Sequence, residues 1–283
     1  MIRIAIFSDV HGKVLLPFKL VAEYQKQFDK KIDLIIQCGD LGAYPNLENL
    51  DKATIRHAKH DRDELGFHDD FTNSKHEISS FLQELDIQML CVRGNHEDHD
   101  FLDDLEEKYA KDSAFPIDCY EYVWICKSGE TQYFQKGEEK LSFVGLGRIG
   151  DRKGRQNKRF IQQYEYQKIK KLYKSKELFE LFITHDSDTS GDVGYGSEEI
   201  REALDSIPFR YHFFGHTGKP YSRILDKNRI TESIKVKELE FTTSGILPEN
   251  CMMILEKEND SLKVHAVSTS FTNQFTKYDW KLK

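Results

Sequence analysis

Five short clusters of acidic, histidine and asparagine side chains punctuate the 283-residue chain: Asp9-Val10-His11, Gly39-Asp40, Gly94-Asn95-His96-Glu97, Thr184-His185-Asp186 and Gly215-His216-Thr217. Carboxylate and imidazole donors without thiolates suit Mn, Fe or Zn and not an iron–sulfur cluster. In extended chain, side chains two apart share a face, so Asp9 and His11 can reach one ion together. Glycines before Asp40, Asn95 and His216 relax the backbone where it must approach a ligand closely. Taken singly, each cluster reads equally well as a turn or a satisfied buried histidine. The ordered set carries the signal.

The elements that would position these residues are short apolar runs. Ile2 to Phe7, Leu34 to Cys38, Met89 to Val92, Leu181 to Ile183 and Tyr211 to Phe214 each stop just ahead of one cluster. Such β-branched and aromatic runs, bounded by glycine or polar residues, predict buried strands. In open α/β sheets ligands gather at the carboxyl ends of strands, so the clusters are expected to converge. Helices are predicted over Leu15 to Phe28, with Leu16, Leu20 and Tyr24 on one face, and over Glu77 to Leu85, giving a largely parallel first sheet. The length is enough for one domain over 1–283 with a sizeable core. Within it, residues 44–76 read as a polar insertion or cap and 148–176 as a basic segment. Short strands near 221–225, 239–243, 252–256 and 262–267 are expected to complete a second sheet from 219 to 283.

In order and spacing the clusters resemble the calcineurin-like metallophosphoesterases, whose pattern is D-x-H, GD, GNH-[DE], a lone histidine and GH-x-H. The match runs from Met1 to about Gly218. The resemblance implies an α/β fold, a four-layer α-β-β-α sandwich of two mixed sheets. It also implies two divalent metal ions, manganese first, with iron or zinc as alternatives. By position, Asp9 and His11 bind the first ion, Asp40 bridges both, and Asn95, His185 and His216 bind the second. His96 matches the histidine that touches the substrate phosphate or leaving group. Asp186 is either a second-layer partner or an exposed turn carboxylate. The chain departs from the pattern at one place: Gly215-His216-Thr217-Gly218 puts glycine where the second histidine of GH-x-H belongs. The serine/threonine phosphoprotein phosphatases also lack that residue. Water, a substrate oxygen or another side chain such as His99 or His212 is expected to fill the gap.

The chemistry implied is hydrolysis of a phosphoester. Two ions roughly 3.5–4 Å apart lower the pKa of a bridging water and clamp the phosphoryl oxygens during in-line attack. Protonation of the leaving oxygen by His96 is typically worth about 10²–10⁴-fold. More narrowly, the stretch Gly39 to Ala43 with Asn46 and Leu50, the run Gly145 to Ile149, and the block Gly194 to His216 resemble the RNA lariat debranching enzymes, which cut 2′-5′ branches. Those enzymes carry cysteine where this chain has Asp9.

Charge patterning bears on the substrate. The chain carries −7 overall, yet residues 148–176 hold eleven Lys or Arg against Asp151 and Glu165, a net +9 that leaves −16 for the remainder. Such polarity suits a nucleic acid or polyphosphate partner, with Arg148, Arg152, Lys153 and Arg155 as candidate substrate contacts. Phe160, Tyr164, Tyr166 and Tyr173 are placed to stack on bases. A solvated amphipathic helix, with Lys168, Lys171 and Lys174 opposite Ile169 and Leu172, is the plainer reading. His57, His60, His68 and His76 fall in the polar insertion and read as a surface loop near the site. Two functions therefore compete: a phosphodiesterase or nuclease acting on nucleic acid, and a phosphomonoesterase or nucleotide hydrolase using the same ions. A non-catalytic scaffold stands third, disfavoured by the intact His96. Five widely spaced cysteines mostly within apolar runs suggest reduced thiols. No apolar stretch approaches the roughly 20 residues that span a bilayer, and a cytoplasmic location is expected.

Overall fold

The computed structural model describes residues 1–174, 178–189 and 195–282. The first half contains β1 (Ile2–Phe7), α1 (Leu15–Phe28), β2 (Leu34–Gln37), α2 (Lys52–Ala58), α3 (Gly66–Phe71), α4 (His76–Leu85), β3 (Met89–Cys91), α5 (His99–Lys108), β4 (Ala114–Pro116) and β5 (Val123–Cys126). The second contains β6 (Thr131–Lys136), β7 (Glu139–Leu146), α6 (Gln163–Leu172), β8 (Leu181–Thr184), α7 (Glu198–Ser206), β9 (Tyr211–Phe214), β10 (Ser222–Leu225), β11 (Glu232–Lys235), β12 (Met253–Glu258), β13 (Ser261–Ala266) and α8 (Thr269–Thr272).

These strands form two mixed sheets, ordered β13-β12-β1-β2-β3-β5-β4 and β10-β11-β9-β8-β7-β6. The centre of each is parallel, with β1, β2, β3 and β5 in the first and β7, β8, β9 and β11 in the second. Alternation along β1 shows how the layers stack. Ile2, Ile4 and Ile6 join Leu34, Ile36, Phe143, Ile183 and Phe213 in a core between the sheets. Ala5 and Phe7 point the other way, into a core shared with Leu16 and Leu20 of α1 and Leu82 of α4. On the far side, Val144 and Phe182 pack under Ile169 of α6 and Ile200 and Leu204 of α7. Both faces of each sheet are thus covered, giving the expected four-layer α-β-β-α sandwich.

Three expectations are corrected. The C-terminal strands do not all complete the second sheet: β10 and β11 do, whereas β12 pairs antiparallel with β1 and carries β13 with it. Both faces of β1 are apolar, so its open edge needs a partner that is apolar on both faces, and β12 alternates Met253 and Leu255 with Ile254 to supply one. The segment 239–243 is not a strand; Glu238, just before it, forms an isolated bridge with Ser8, and the Leu239 N–H donates to the Ser8 and Asp9 carbonyls beyond the end of β1. Residues 44–76 are largely helical, and Phe67 and Phe71 anchor them in the core.

The five cysteines are free, all buried except Cys119. Among the described residues, no helix is long and apolar enough to cross a membrane.

Candidate metal centre

Five parallel strands deliver the five clusters to one end of the sandwich. Asp9 and His11 follow β1, Asp40 follows β2, Asn95 and His96 follow β3, His185 follows β8 and His216 follows β9. The turns are tight enough that Asp9, His11, Asp40 and His216 all take left-handed backbone, with φ of 47°, 41°, 55° and 70°. Non-glycine residues rarely do so, and such strain clusters at functional sites. The Asp9 and His11 pairing therefore arises from a left-handed turn and not from extended chain. Extended backbone would have carried His11 on past the sheet, whereas here Asp9 N–H, Val10 N–H and His11 N–H donate back to the carbonyls of Gly39 and Asp40.

The glycines admit this crowding. A Cβ on Gly94 would lie 2.0 Å from the Asp40 nitrogen, and one on Gly215 would lie 2.1 Å from Asp9 Oδ2. Asp40 Oδ1 accepts N–H bonds from Asn95 at 2.7 Å and His96 at 2.8 Å, and Asp9 accepts the His216 N–H at 3.1 Å. Each loop is thus tied to another loop's carboxylate.

Two sets of potential ligands share one residue. Donor atoms of Asp9, His11 and Asp40 lie within 4.8 Å of one another, as do those of Asp40, His185 and His216. Asn95 Oδ1 adds to the second set, 3.2 Å from His185 Nε2. The donors fit divalent ions by an observation beyond proximity: His185 Nδ1 bonds the Cys38 carbonyl at 2.9 Å, which as a donor leaves the Nε2 lone pair facing Asp40. A carbonyl that fixes the imidazole tautomer is the usual support of a metal-bound histidine. Nδ1 of His216 is buried and has no hydrogen-bond partner among the described residues, an orphan that an ion would satisfy.

Charge follows from this packing. Burial would push His185 down, but Asp40 and Asp9 outweigh it and raise the ring to about 10, so an ion bound at Nε2 would take the place of the proton there. For His216 burial wins, helped by His185, and the ring stays neutral, near 3. Asp40, despite burial, is held well below the usual carboxylate range by His185 and His96.

His96 lies beside this pair of sets, its ring edge-on to His11 at 5.6 Å. Its Nδ1 bonds Asp51 Oδ2 at 2.7 Å, and Tyr44 OH donates to the same oxygen at 2.6 Å. Burial lowers the His96 pKa, but Asp40 and the bond to Asp51 raise it to about 9. Asp51 also caps α2 through the Ala53 and Thr54 N–H groups, so the helical insertion and the histidine are positioned together. A cavity of about 200 Å³ opens here, lined by His11, Asp40, Thr54, His57, His96 and Glu240 among others.

Several supports escaped the motif reading. Glu97 is buried and accepts N–H bonds from Leu41, Ala43 and Gly94, strapping the Asp40 loop to the Asn95 loop. Burial, reinforced by Asp40, raises its carboxyl to about 7. Asp186 is fully buried and accepts the Gly150 and Ser187 N–H groups, tying the basic loop to the end of β8; it is neither an exposed turn residue nor a partner to a ligand side chain. Only the i,i+3 spacing of Glu97 from Gly94 hinted at its role. Nothing in the sequence joined Asp51 to His96 across 45 residues.

The expected substrate contacts divide. Arg148 is 1% exposed and pairs with Asp103 and Glu165, so it braces the protein and cannot meet substrate. A guanidinium at the end of β7 is drawn inward because α5 and α6 present carboxylates to it. Arg152, Lys153 and Arg155 are exposed. Arg152 lies over the Tyr195 ring at 5.3 Å, on the loop whose Gly150 N–H is tied to Asp186 at 3.0 Å. Phe160 is buried and cannot stack on a base, Tyr166 bonds Glu202 and has the Lys170 ammonium over its ring at 4.9 Å, and Tyr164 is exposed. Neither His99 nor His212 fills the gap left by Gly218. His212 bonds Thr184 and Ser233 in the interior, and His99 is buried beside Arg148. His57 reaches the cavity wall, but none of the insertion histidines belongs to a metal-ligand set among the described residues. Gly194 and Lys176 lie outside the described residues.

The family model described as calcineurin-like phosphoesterase matches residues 2–220. No curated protein matches the chain. One solved structure aligns over 94% of this chain and 99% of its own, with 15% identity and a TM-score of 0.52, a likeness of fold. The protein TT1561 of Thermus thermophilus covers 93% of this chain and 98% of its own at 13% identity and a TM-score of 0.49. A phosphatase of Mycoplasma pneumoniae covers 94% and 92% at 13% identity and a TM-score of 0.48.

Proposed function

Since the chain belongs to the calcineurin-like phosphoesterase family and is therefore a metal-dependent phosphoester hydrolase, we propose that it acts as a phosphodiesterase on nucleic acid. Asp9, His11 and Asp40 would hold a first divalent ion and Asp40, Asn95, His185 and His216 a second, with manganese the preferred metal for this oxygen and imidazole set. When bound, the ions supply Lewis acidity to the phosphoryl group and acidify water.

The chain's own residues do the rest. Asp51 turns His96 so that Nε2 faces the cavity, where it holds a proton for the departing oxygen. Asp40 stays ionised because two backbone N–H groups and two histidines surround it. Helix α2 walls one side with Ala53, Thr54 and His57. Arg152, Lys153 and Arg155 project from a loop that Asp186 ties beside His185, and draw a polyanion toward the site.

The observation that carries the substrate class is the placement of the exposed Arg152, Lys153 and Arg155 on a loop whose Gly150 N–H is tied at 3.0 Å to Asp186, the residue after His185. The narrowness of the cavity, about 200 Å³, favours the second reading, a phosphomonoesterase or nucleotide hydrolase. Free thiols suit a reducing compartment such as the cytoplasm.

A panel with added Mn separates the readings: a phosphomonoester, a phosphodiester, linear single strands and a 2′-5′ branched RNA. The nucleic-acid reading expects oligonucleotides to be cut best. It also expects Arg152→Ser/Lys153→Ser/Arg155→Ser to flatten the salt dependence of single-strand binding by roughly 2 in log–log slope. Equal salt slopes in wild type and variant, with the monoester cut fastest, would overturn it.

A further inference from the structure

With the ligands assigned as above, the first ion is left with only Asp9, His11 and Asp40. At Gly218, where the family pattern has histidine, a Cβ would meet nothing within 4 Å. The space is open and the donor is missing. A different side chain stands beside His11: Glu240 Oε1 lies 3.6 Å from His11 Nε2. His11, Glu64 and Glu240 place one donor atom each within 4.8 Å of one another, and His11 belongs equally to the Asp9, His11 and Asp40 set.

Glu240 is not there by chance of a wandering loop. Leu239, fully buried in the core under the first sheet, donates its N–H to the carbonyls of Ser8 at 3.0 Å and Asp9 at 3.2 Å, and Ser8 bridges Glu238. The backbone preceding Glu240 is therefore fastened to the turn that carries Asp9 and His11. The two carboxylates of the cluster differ in what already holds them. Glu64 is buried and its Oε1 receives the ammonium of the buried Lys13 at 3.2 Å. The Glu240 side chain is 38% exposed, lines the cavity, and among the described residues has His11 as its sole ion-pair partner.

We propose that Glu240 supplies the ligand to the first ion that other family members take from the histidine at the position of Gly218. The proposal rests on the two-ion reading above. A carboxylate in place of an imidazole brings one further negative charge to the first site and hardens its donor set, favouring Mn over Zn.

The test is Mn binding to the metal-free full chain, read by calorimetry for stoichiometry and affinity and by electron paramagnetic resonance for coupling between the ions. Wild type is expected to bind two Mn with a coupled spectrum. Glu240→Gln, which keeps the side-chain shape, is expected to weaken one of the two sites by at least about tenfold and to leave an uncoupled single-ion spectrum at limiting Mn. Adding Gly218→His to Glu240→Gln places the family's own donor in the open space and is expected to restore the second ion. Two Mn bound by Glu240→Gln at unchanged affinity would overturn the proposal and leave the two-ion reading standing, as would a loss produced by Glu64→Gln alone. Fewer than two Mn bound by wild type would overturn the two-ion reading itself.

Discussion

Asp51→Asn isolates the charge that orients His96. Asparagine caps a helix about as well as aspartate, so α2 keeps its first turn, whereas alanine would cost ~1 kcal/mol of capping. What is lost is a charge-assisted bond at 2.7 Å, worth about 1.5–3 kcal/mol. If that energy steadies a proton on His96 as the leaving oxygen departs, kcat should fall roughly 10–150-fold for an ester with a poor leaving group. A nitrophenyl ester needs little protonation and should lose far less, and KM should hold for both. Steady-state kinetics across a series of leaving groups gives the dependence directly. An equal fall in kcat for good and poor leaving groups would refute the reasoning, because it would mean that Asp51 shapes the cavity and not proton delivery.

Three other perturbations follow from the packing. Arg148→Met removes a buried cation from Asp103 and Glu165 and should cost about 3–5 kcal/mol in urea unfolding, with oligonucleotide affinity of the folded fraction unchanged. Gly94→Ala drives a methyl to within 2.0 Å of the Asp40 backbone, and calorimetry should show Mn binding lost even in protein that still folds. Burial would raise the Asp103 carboxyl, but Arg93, Lys158 and Arg148 outweigh it and hold it near 2. A depressed acid contributes stability that is present above its unfolded pKa and lost as pH falls through its folded value. The difference in unfolding free energy between wild type and Asp103→Asn, roughly 1 kcal/mol for this partly exposed group, should therefore be full at about pH 6 and shrink from about pH 4 toward 2 in urea titrations.

The strand ends, and the convergence of Asp9, His11, Asp40, His185 and His216, were legible because each apolar run stops just ahead of a polar cluster. Leu15 to Phe28 shows its helix through Leu16, Leu20 and Tyr24, and the structure places α1 over those residues. What the sequence hid were pairings between distant segments. That β12 would cap the edge of β1 depends on which sheet has an unpaired apolar edge, a property of the assembled layers. The basic run signalled a polyanion, yet it did not distinguish Arg148, drawn into Asp103 and Glu165, from Arg152, left in solvent four residues later. The turn holding Asp9 and His11 was misread because left-handed backbone at non-glycine residues leaves no compositional mark.

The most direct measurement is anomalous diffraction from crystals soaked in manganese. Two peaks roughly 3.5–4 Å apart, with Asp40 between them, are predicted. A single peak, or peaks away from Asp9, His11, His185 and His216, would contradict the account.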